Sequence, residues 1–150
     1  MRADVGQVEG ILRRSGFFTA DDVRIAVELM EVCLGEPGQT DYDIYSAAEG
    51  NAVLGYVCFG PTSLTEGTFD LYWIAVDPAR QNQKIGRQLM TFAEEKIRSR
   101  RGRLVIVETS SRPLYDSTRK FYLRLEYAEV ARIKGYYRPG DDLVIYGKYL

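Results

Sequence analysis

Two strand-like runs, FDLYWIAV at 69–76 and LVIVE at 104–108, flank a segment in which Ile85, Leu89, Ala93 and Ile97 recur at helical spacing. This order constrains the fold more than any other feature of the chain. A helix between two strands returns the backbone to the end of the sheet where it started, so the two strands pair in parallel. LVIVE, a short continuous apolar run, predicts a strand buried on both faces.

The other elements are read around that unit. Val5, Val8, Ile11 and Leu12 predict a helix that begins almost at Met1. Thr19, followed by Asp21 and Asp22, predicts the cap and first turn of a second helix. Gly16, Phe17 and Phe18 connect the two. DYDIYSAAE and AVLGYVCFG, separated by Gly50 and Asn51, read as a hairpin. A helix from about Leu114 to Leu125 and two strands, near Glu129 to Ile133 and Leu143 to Tyr149, complete the order. Two helices, three strands, helix, strand, helix and two strands predict an α/β (α+β) fold with a mixed sheet. Neither repeats nor a linker interrupt it, so residues 1–150 are read as a single domain.

Composition narrows the chemistry. The chain has no histidine, which excludes His-based triads and most zinc sites and leaves carboxylates, Tyr, Lys or Cys for proton transfer. Cys33 and Cys58 lie in apolar surroundings without CxxC or CxxH spacing, the pattern of buried free thiols, and no metal is expected. No apolar run approaches the roughly 20 residues that span a bilayer, and MRADVGQVEG is not a signal sequence, so a cytoplasmic location without membrane contact is expected. Charge is unevenly placed: thirteen acidic against four basic residues before Arg80, and eight against sixteen from Arg80 onward. Either the C-terminal half meets an anion and the N-terminal half a cation, or the two halves simply carry different solvated faces.

Arg80, Lys84 and Arg87 gather at the start of the helix near Ile85. That end of a helix is partly positive, so each cation there is disfavoured by a few tenths of a kcal/mol. Unpaired N–H groups at a helix start bind phosphate, and Gly86 lets a ligand approach the backbone. Neither GxxxxGK[ST] nor GxGxxG is present, so neither ATP nor a dinucleotide is indicated.

Val76-Asp77-Pro78 followed by Gln81-Asn82-Gln83-Lys84-Ile85-Gly86 resembles V-x-P and [QR]-x-x-G-x-[GA], the central motif of the GNAT superfamily of acyl-CoA-dependent N-acyltransferases. The resemblance runs from Tyr42 to Leu150. ETSSRPLYDSTRKFYLRLEY is similar to the family's next segment, where a glutamate ends a strand and a tyrosine sits on a helix in F-Y-x-x-x-G-[FY]. Members that resemble the ribosomal-protein N-terminal acetyltransferases also carry a Tyr-Tyr pair before the last strand. The resemblance implies a GNAT-type mixed, mostly antiparallel central sheet with a parallel, splayed pair of strands, flanked by helices. It implies acetyl-CoA as co-substrate, its pyrophosphate wrapped by the amides of Gln81, Asn82, Gln83, Lys84, Ile85, Gly86 and Arg87. The pantetheine arm would pair with the edge of Ile74, Ala75 and Val76, where one N–H faces the thioester oxygen.

Three positions depart from the family pattern. Lys84 replaces the first glycine, Tyr115 stands where many members carry an asparagine against the cofactor, and Glu126 replaces the glycine of F-Y-x-x-x-G. A lysine suits the turn with a negative φ, which is the expectation for Lys84. The family's first strand is expected to be short or missing.

Acetyl transfer to an amine requires a neutral amine, an oxyanion stabiliser and a proton for the departing thiolate. Glu108, at the C-terminal end of an apolar strand, reads as the general base acting through water, or as a carboxylate that pairs with Arg112 or orients the loop. Tyr122 reads as the proton donor, or as a core tyrosine on the face of Leu114, Thr118, Phe121 and Leu125. A phenol near 10 and a thiol near 8.5 leave that proton transfer close to balanced. KGYYRPGDD is read as a loop that presents Tyr136, Tyr137, Asp141 and Asp142, and Asp70 and Tyr72 lie on one side of their strand. Either they offer a cationic amine an acidic, aromatic entrance, or the loop is a solvated hairpin whose tyrosines pack locally. A peptide N-terminus, a lysine and a small amine remain open as acceptors, as do monomer and homodimer. A catalytically silent acyl-CoA sensor is the alternative reading. The basic run RSRRGR at 98–103 reads as a helix end rather than a nucleic-acid site.

Overall fold

The computed structural model describes residues 2–150. Among them, four helices and six strands follow in order: α1 (Arg2–Ser15), α2 (Ala20–Gly35), β1 (Asp43–Glu49), β2 (Ala52–Pro61), β3 (Thr68–Val76), α3 (Ile85–Ser99), β4 (Leu104–Ser110), α4 (Asp116–Arg124), β5 (Ala128–Arg138) and β6 (Asp141–Tyr149). The strands form a six-stranded sheet in the order β1-β2-β3-β4-β6-β5. β1 pairs with β2, β4 with β6 and β5 with β6 in antiparallel fashion, whereas β3 and β4 are parallel, as the crossover through α3 requires. Among the described residues no strand precedes α1, and no helix is long and apolar enough to cross a membrane.

The chain packs as two compact units. The first comprises the residues up to Gly60 together with Tyr72–Glu95, and the second comprises Pro61–Leu71 and Lys96–Leu150.

In the first unit, α2 starts at a complete capping box. The Thr19 hydroxyl accepts from the Asp22 N–H at 3.1 Å, and the Asp22 carboxylate accepts from the Thr19 N–H at 2.8 Å. The apolar faces of α1 and α2 then close over β2: Val8, Ile11, Leu12, Val23, Ala26 and Met30 pack with Val53, Tyr56 and Cys58. The other face of β2 meets α3, because Gly55 brings the backbone so near that a Cβ there would stand 3.2 Å from Leu89 Cδ1 and 2.7 Å from the Ala75 carbonyl. β2, not LVIVE, is therefore the strand buried on both sides. In β4, Val105, Val107 and Thr109 are buried while Ile106 and Glu108, on the opposite face, are more open.

In the second unit, Thr68–Leu71 pair with Leu104–Val107, and β4 continues beside β6 from Leu104↔Tyr149 to Ser110↔Leu143. α4 packs through Tyr122, whose ring lies 5.9 Å from Tyr127 and 6.1 Å from Tyr146. RSRRGR ends α3, as expected: Arg103 Nε donates to the Glu66 carbonyl at 2.7 Å and Arg100 lies over Phe69. β5 runs to Arg138, so Tyr136 and Tyr137 lie on a strand and not in a loop. Gly135, at φ 61, takes up the irregularity between Ile133 and Arg138 that lets the pairing resume before the turn at Gly140.

α4 is closed by a C-terminal turn in which Glu126 N–H reaches the Leu123 carbonyl and Tyr127 N–H the Tyr122 carbonyl, each at 3.1 Å. Glu126 holds φ 68, the left-handed conformation that glycine adopts without cost. Replacing it with glycine should therefore stabilise the fold by about 1 kcal/mol, raising Tm by about 3 °C in a thermal melt. Burial sets a second expectation. It pushes the Cys58 thiol from its ordinary 9.0 up to about 12, with Cys33 a smaller contributor. A group whose pKa is raised on folding adds stability that is complete below its unfolded value and lost above it. The stability of the wild type should thus fall from pH 9 toward 12, at up to about 1.4 kcal/mol per pH unit from this thiol. Cys58→Ala should flatten that decline in denaturant titrations at stepped pH.

Candidate active site

In the first unit β3 ends at Val76, and Asp77 fastens the turn that follows. Its N–H bonds the Leu54 carbonyl at 2.8 Å, one carboxylate oxygen accepts from the Ala79 N–H at 3.0 Å, and the other accepts from Arg14 at 2.9 Å. The Ala79 N–H, with Arg14 adding to it, holds this carboxyl below the ordinary aspartate range. Asp77 thus caps the single 3₁₀ turn Pro78–Arg80 and ties it to α1. Sequence reading passed over this cap and its Arg14 tether, although an Asp directly before Pro signalled the first of them.

From Gln81 the backbone turns into α3 through two left-handed residues, Asn82 at φ 66 and Lys84 at φ 62. The negative φ expected for Lys84 is not found. A left-handed residue next to the helical Ile85 points consecutive N–H groups to one side, forming a concave anion nest, and this position keeps that conformation with lysine in place of glycine. The first bond of α3 runs from Gln88 N–H to the Lys84 carbonyl at 3.0 Å. Among the described residues, none of the N–H groups of 81–87 donates a well-formed hydrogen bond. Gln81, Asn82, Gln83, Lys84, Ile85, Gly86 and Arg87 thus present uncommitted donors at the positive end of a helix.

The three cations of this segment are not equivalent. Arg80 pairs with Glu49 at 3.2 Å. Lys84 and Arg87 have no ion pair among the described residues, and with Gln88, Thr91, Phe92 and Glu95 they border an open groove of about 330 Å³ along α3. Upstream, the pairing of β3 with β4 ends at Leu71. Trp73, Ile74, Ala75 and Val76 continue the strand beyond that pairing, so one edge keeps backbone groups that an extended ligand can pair with. Tyr72 is 40% exposed, its ring in edge contact with Tyr42 at 5.2 Å.

The second unit carries the ionisable residues singled out in the sequence. Glu108 does not end β4, which runs on to Ser110. It is exposed, and its carboxylate has no hydrogen bond or ion pair among the described residues. Arg112 pairs instead with Asp141, at 3.2 Å. Asp141 is 3% exposed, accepts from the Ser110 hydroxyl and anchors the loop after β4. Asp142 is likewise engaged: Gly135 N–H at 2.9 Å, then Arg132 at 3.2 Å, hold its carboxyl below the ordinary range. Neither aspartate is therefore available to an acceptor. Asp70 is partly committed as well, accepting from the Thr62 hydroxyl at 2.7 Å.

Tyr122 is 4% exposed, and burial pushes its phenol well up from 10, so it stays protonated throughout the neutral range. Tyr115 closes the short turn Pro113–Tyr115, with the Arg112 guanidinium 5.6 Å above its ring. Arg119 of α4 fixes this loop by donating to the carbonyls of Ser110 at 2.6 Å and Arg112 at 3.0 Å. Tyr136 and Tyr137 make a perpendicular ring pair at 5.0 Å. Burial raises the Tyr137 phenol, and Glu108, Tyr136, Asp141 and Tyr115 all act on it, so these groups share one electrostatic neighbourhood. Among the described residues no group of His, Cys, Asp and Glu could hold a metal ion.

A family profile described as acetyltransferase (GNAT) domain matches residues 40–129. A GNAT-family protein from Desulfovibrio desulfuricans is 39% identical, with a TM-score of 0.97 over 99% of this chain and 94% of that one. The E. coli ribosomal-protein-S18-alanine N-acetyltransferase shares the fold at 17% identity, with a TM-score of 0.75 over 99% of this chain and 89% of that one. An aminoglycoside 6′-N-acetyltransferase complexed with coenzyme A does so at 18% identity, with a TM-score of 0.76 over 97% and 89%. No curated protein matches the chain in sequence.

The left-handed Lys84 carries its own expected outcome. Lys84→Gly should stabilise the folded chain by about 1 kcal/mol, readable as a rise in denaturant midpoint, because it relieves φ 62 without removing a backbone donor.

Proposed function

The chain belongs to the GNAT acetyltransferase family, and on that footing we propose that it moves the acetyl group of acetyl-CoA to a primary amine by direct attack in a ternary complex. The observation that carries this reading is the run of uncommitted N–H groups at 81–87, set beside the unpaired Lys84 and Arg87. Backbone donors bind phosphate oxygens whatever side chain they bear, so the amides of 81–87 hold the pyrophosphate despite Lys84, and Tyr115 flanks the cofactor. Residues 1–150 act as one catalytic domain in the cytoplasm.

Bound acetyl-CoA supplies the thioester whose acetyl carbon the amine attacks. The unpaired edge of Ile74, Ala75 and Val76 aligns the pantetheine arm like an added strand, and an N–H of that edge stabilises the developing oxyanion. Glu108, an uncommitted carboxylate, takes the proton of the attacking amine through water. Tyr122, held neutral by burial, returns a proton to the departing thiolate. The acceptor is a peptide N-terminus, a lysine or a small amine, met by Asp70, Tyr72, Tyr136 and Tyr137. Cys58 is too firmly protonated to carry the acetyl group covalently. The substitutions at Lys84, Tyr115 and Glu126 leave open a second reading, a silent acyl-CoA sensor.

Acetyl-CoA at 100 times its Kd should stabilise the chain by about 2.7 kcal/mol in a thermal shift, and no shift at any concentration overturns both readings. Thiol release over an amine panel then separates enzyme from sensor. Glu108→Gln and Tyr122→Phe should each lower turnover about 100-fold while the shift persists, and full turnover in either would remove that residue's role.

A further inference from the structure

The turn that leads into β1 is built around one side chain. Gln39 Oε1 accepts from the N–H groups of Asp41 at 3.0 Å and Tyr42 at 2.9 Å, and its Nε2 donates to the Tyr42 carbonyl at 2.7 Å. Gln39 N–H in turn donates to the Glu36 carbonyl at 3.1 Å. Beneath the turn lies Gly60. A Cβ there would stand 1.9 Å from the Asp41 carbonyl oxygen and 3.3 Å from the Tyr72 ring, so glycine alone lets the turn close down on β2 beside that ring. The outcome is an aromatic corner of Tyr42 and Tyr72, with Asp41 exposed at its rim. The Asp41 carboxylate has no hydrogen bond or ion pair among the described residues.

We propose that Asp41, Tyr42 and Tyr72 form a subsite for a second, non-reacting positive charge on the acceptor, so that the substrate class is a small di- or polycationic amine. This rests on the reading of the chain as an amine acetyltransferase. Two aromatic rings and a carboxylate bind an ammonium through ring quadrupole and charge. Such a site favours the protonated form of the nitrogen it holds. The reacting nitrogen must give up its proton before attack, so the subsite suits a nitrogen that stays charged while another reacts. The first unit carries thirteen acidic against seven basic side chains, an excess that draws such cations toward it. Gln39 and Gly60 are positioning residues. They act through the Asp41–Tyr42 backbone and touch no ligand.

The test is calorimetric titration of spermidine and of butylamine into the chain, both ligand-free and saturated with coenzyme A, which permits no turnover. Wild type should bind spermidine at least tenfold more tightly than butylamine. Asp41→Asn and Tyr42→Leu should lose most of that preference, whereas Tyr42→Phe, which keeps the ring, should retain it. Gln39→Ala should weaken spermidine severalfold and leave butylamine and coenzyme A unchanged, with partial recovery in Gln39→Glu, which keeps both acceptor contacts. Asp41 is exposed, so its variant folds even where Tyr42→Leu fails to. Equal binding of the two amines by wild type, or a preference that survives Asp41→Asn, overturns the subsite. A chain that coenzyme A fails to stabilise overturns the acetyltransferase reading instead, and the ligand-free titration still decides the subsite.

Discussion

Four residues of parallel pairing, Thr68–Leu71 against Leu104–Val107, are the constraint on which the rest of the structure depends. A parallel pair requires a crossover, the crossover is α3, and the start of α3 is where the chain must turn out of a strand. The short length of that pairing matters as much as its direction. Because it stops at Leu71, the end of β3 keeps an edge without a β4 partner, directly before the turn whose N–H groups are also unclaimed. One topological requirement thus leaves two sets of backbone groups without intramolecular partners, and both sets follow each other along the chain. An extended ligand that ends in phosphate matches both.

The family pattern survives here as backbone conformation more than as composition. Lys84 and Glu126 each stand where the pattern has glycine, and each holds the left-handed φ that glycine would. The surrounding structure enforces this. Asp77 and its Arg14 tether hold the turn before Lys84, and the paired bonds to Leu123 and Tyr122 close the turn at Glu126. The strain is affordable because each turn is fixed by several bonds at once. A phosphate held as proposed would need only the direction of the N–H groups, which the change of residue type leaves in place.

The parts of the fold with a clear period were legible in the sequence. Thr19 caps α2, Ile85 opens α3, and the parallel pair follows from the order of elements. What escaped reading depended on partners far along the chain. LVIVE has the composition of a doubly buried strand, yet whether a face is covered is decided by which helices pack on it, and α1, α2 and α3 cover β2. Tyr136 and Tyr137 follow a glycine in a polar stretch, so they read as loop, and only pairing with β6 across an irregular register keeps them in β5. Asp141 looked available to a ligand until Arg112 and Ser110 claimed it, so Arg112 is not the partner that the alternative reading of Glu108 offered it. Sequence spacing names candidate ionisable groups, and long-range pairing decides which of them stay free.

A chain without histidine must move protons with groups whose ordinary pKa values lie far from neutrality, and the two proposed here are placed differently for a reason. Glu108 is exposed and can pass a proton on to solvent. Tyr122 is buried, and burial makes its phenol a weaker acid, which taken alone works against donation. A thiolate formed in equally buried surroundings would be penalised as well, because burial raises a thiol too, as Cys58 shows in the first unit. Desolvation penalises both anions, phenolate and thiolate, so it largely cancels in the transfer between them. The near balance of the free groups would then be kept. A buried tyrosine is thus a poor acid toward water and an adequate one toward a sulfur buried with it.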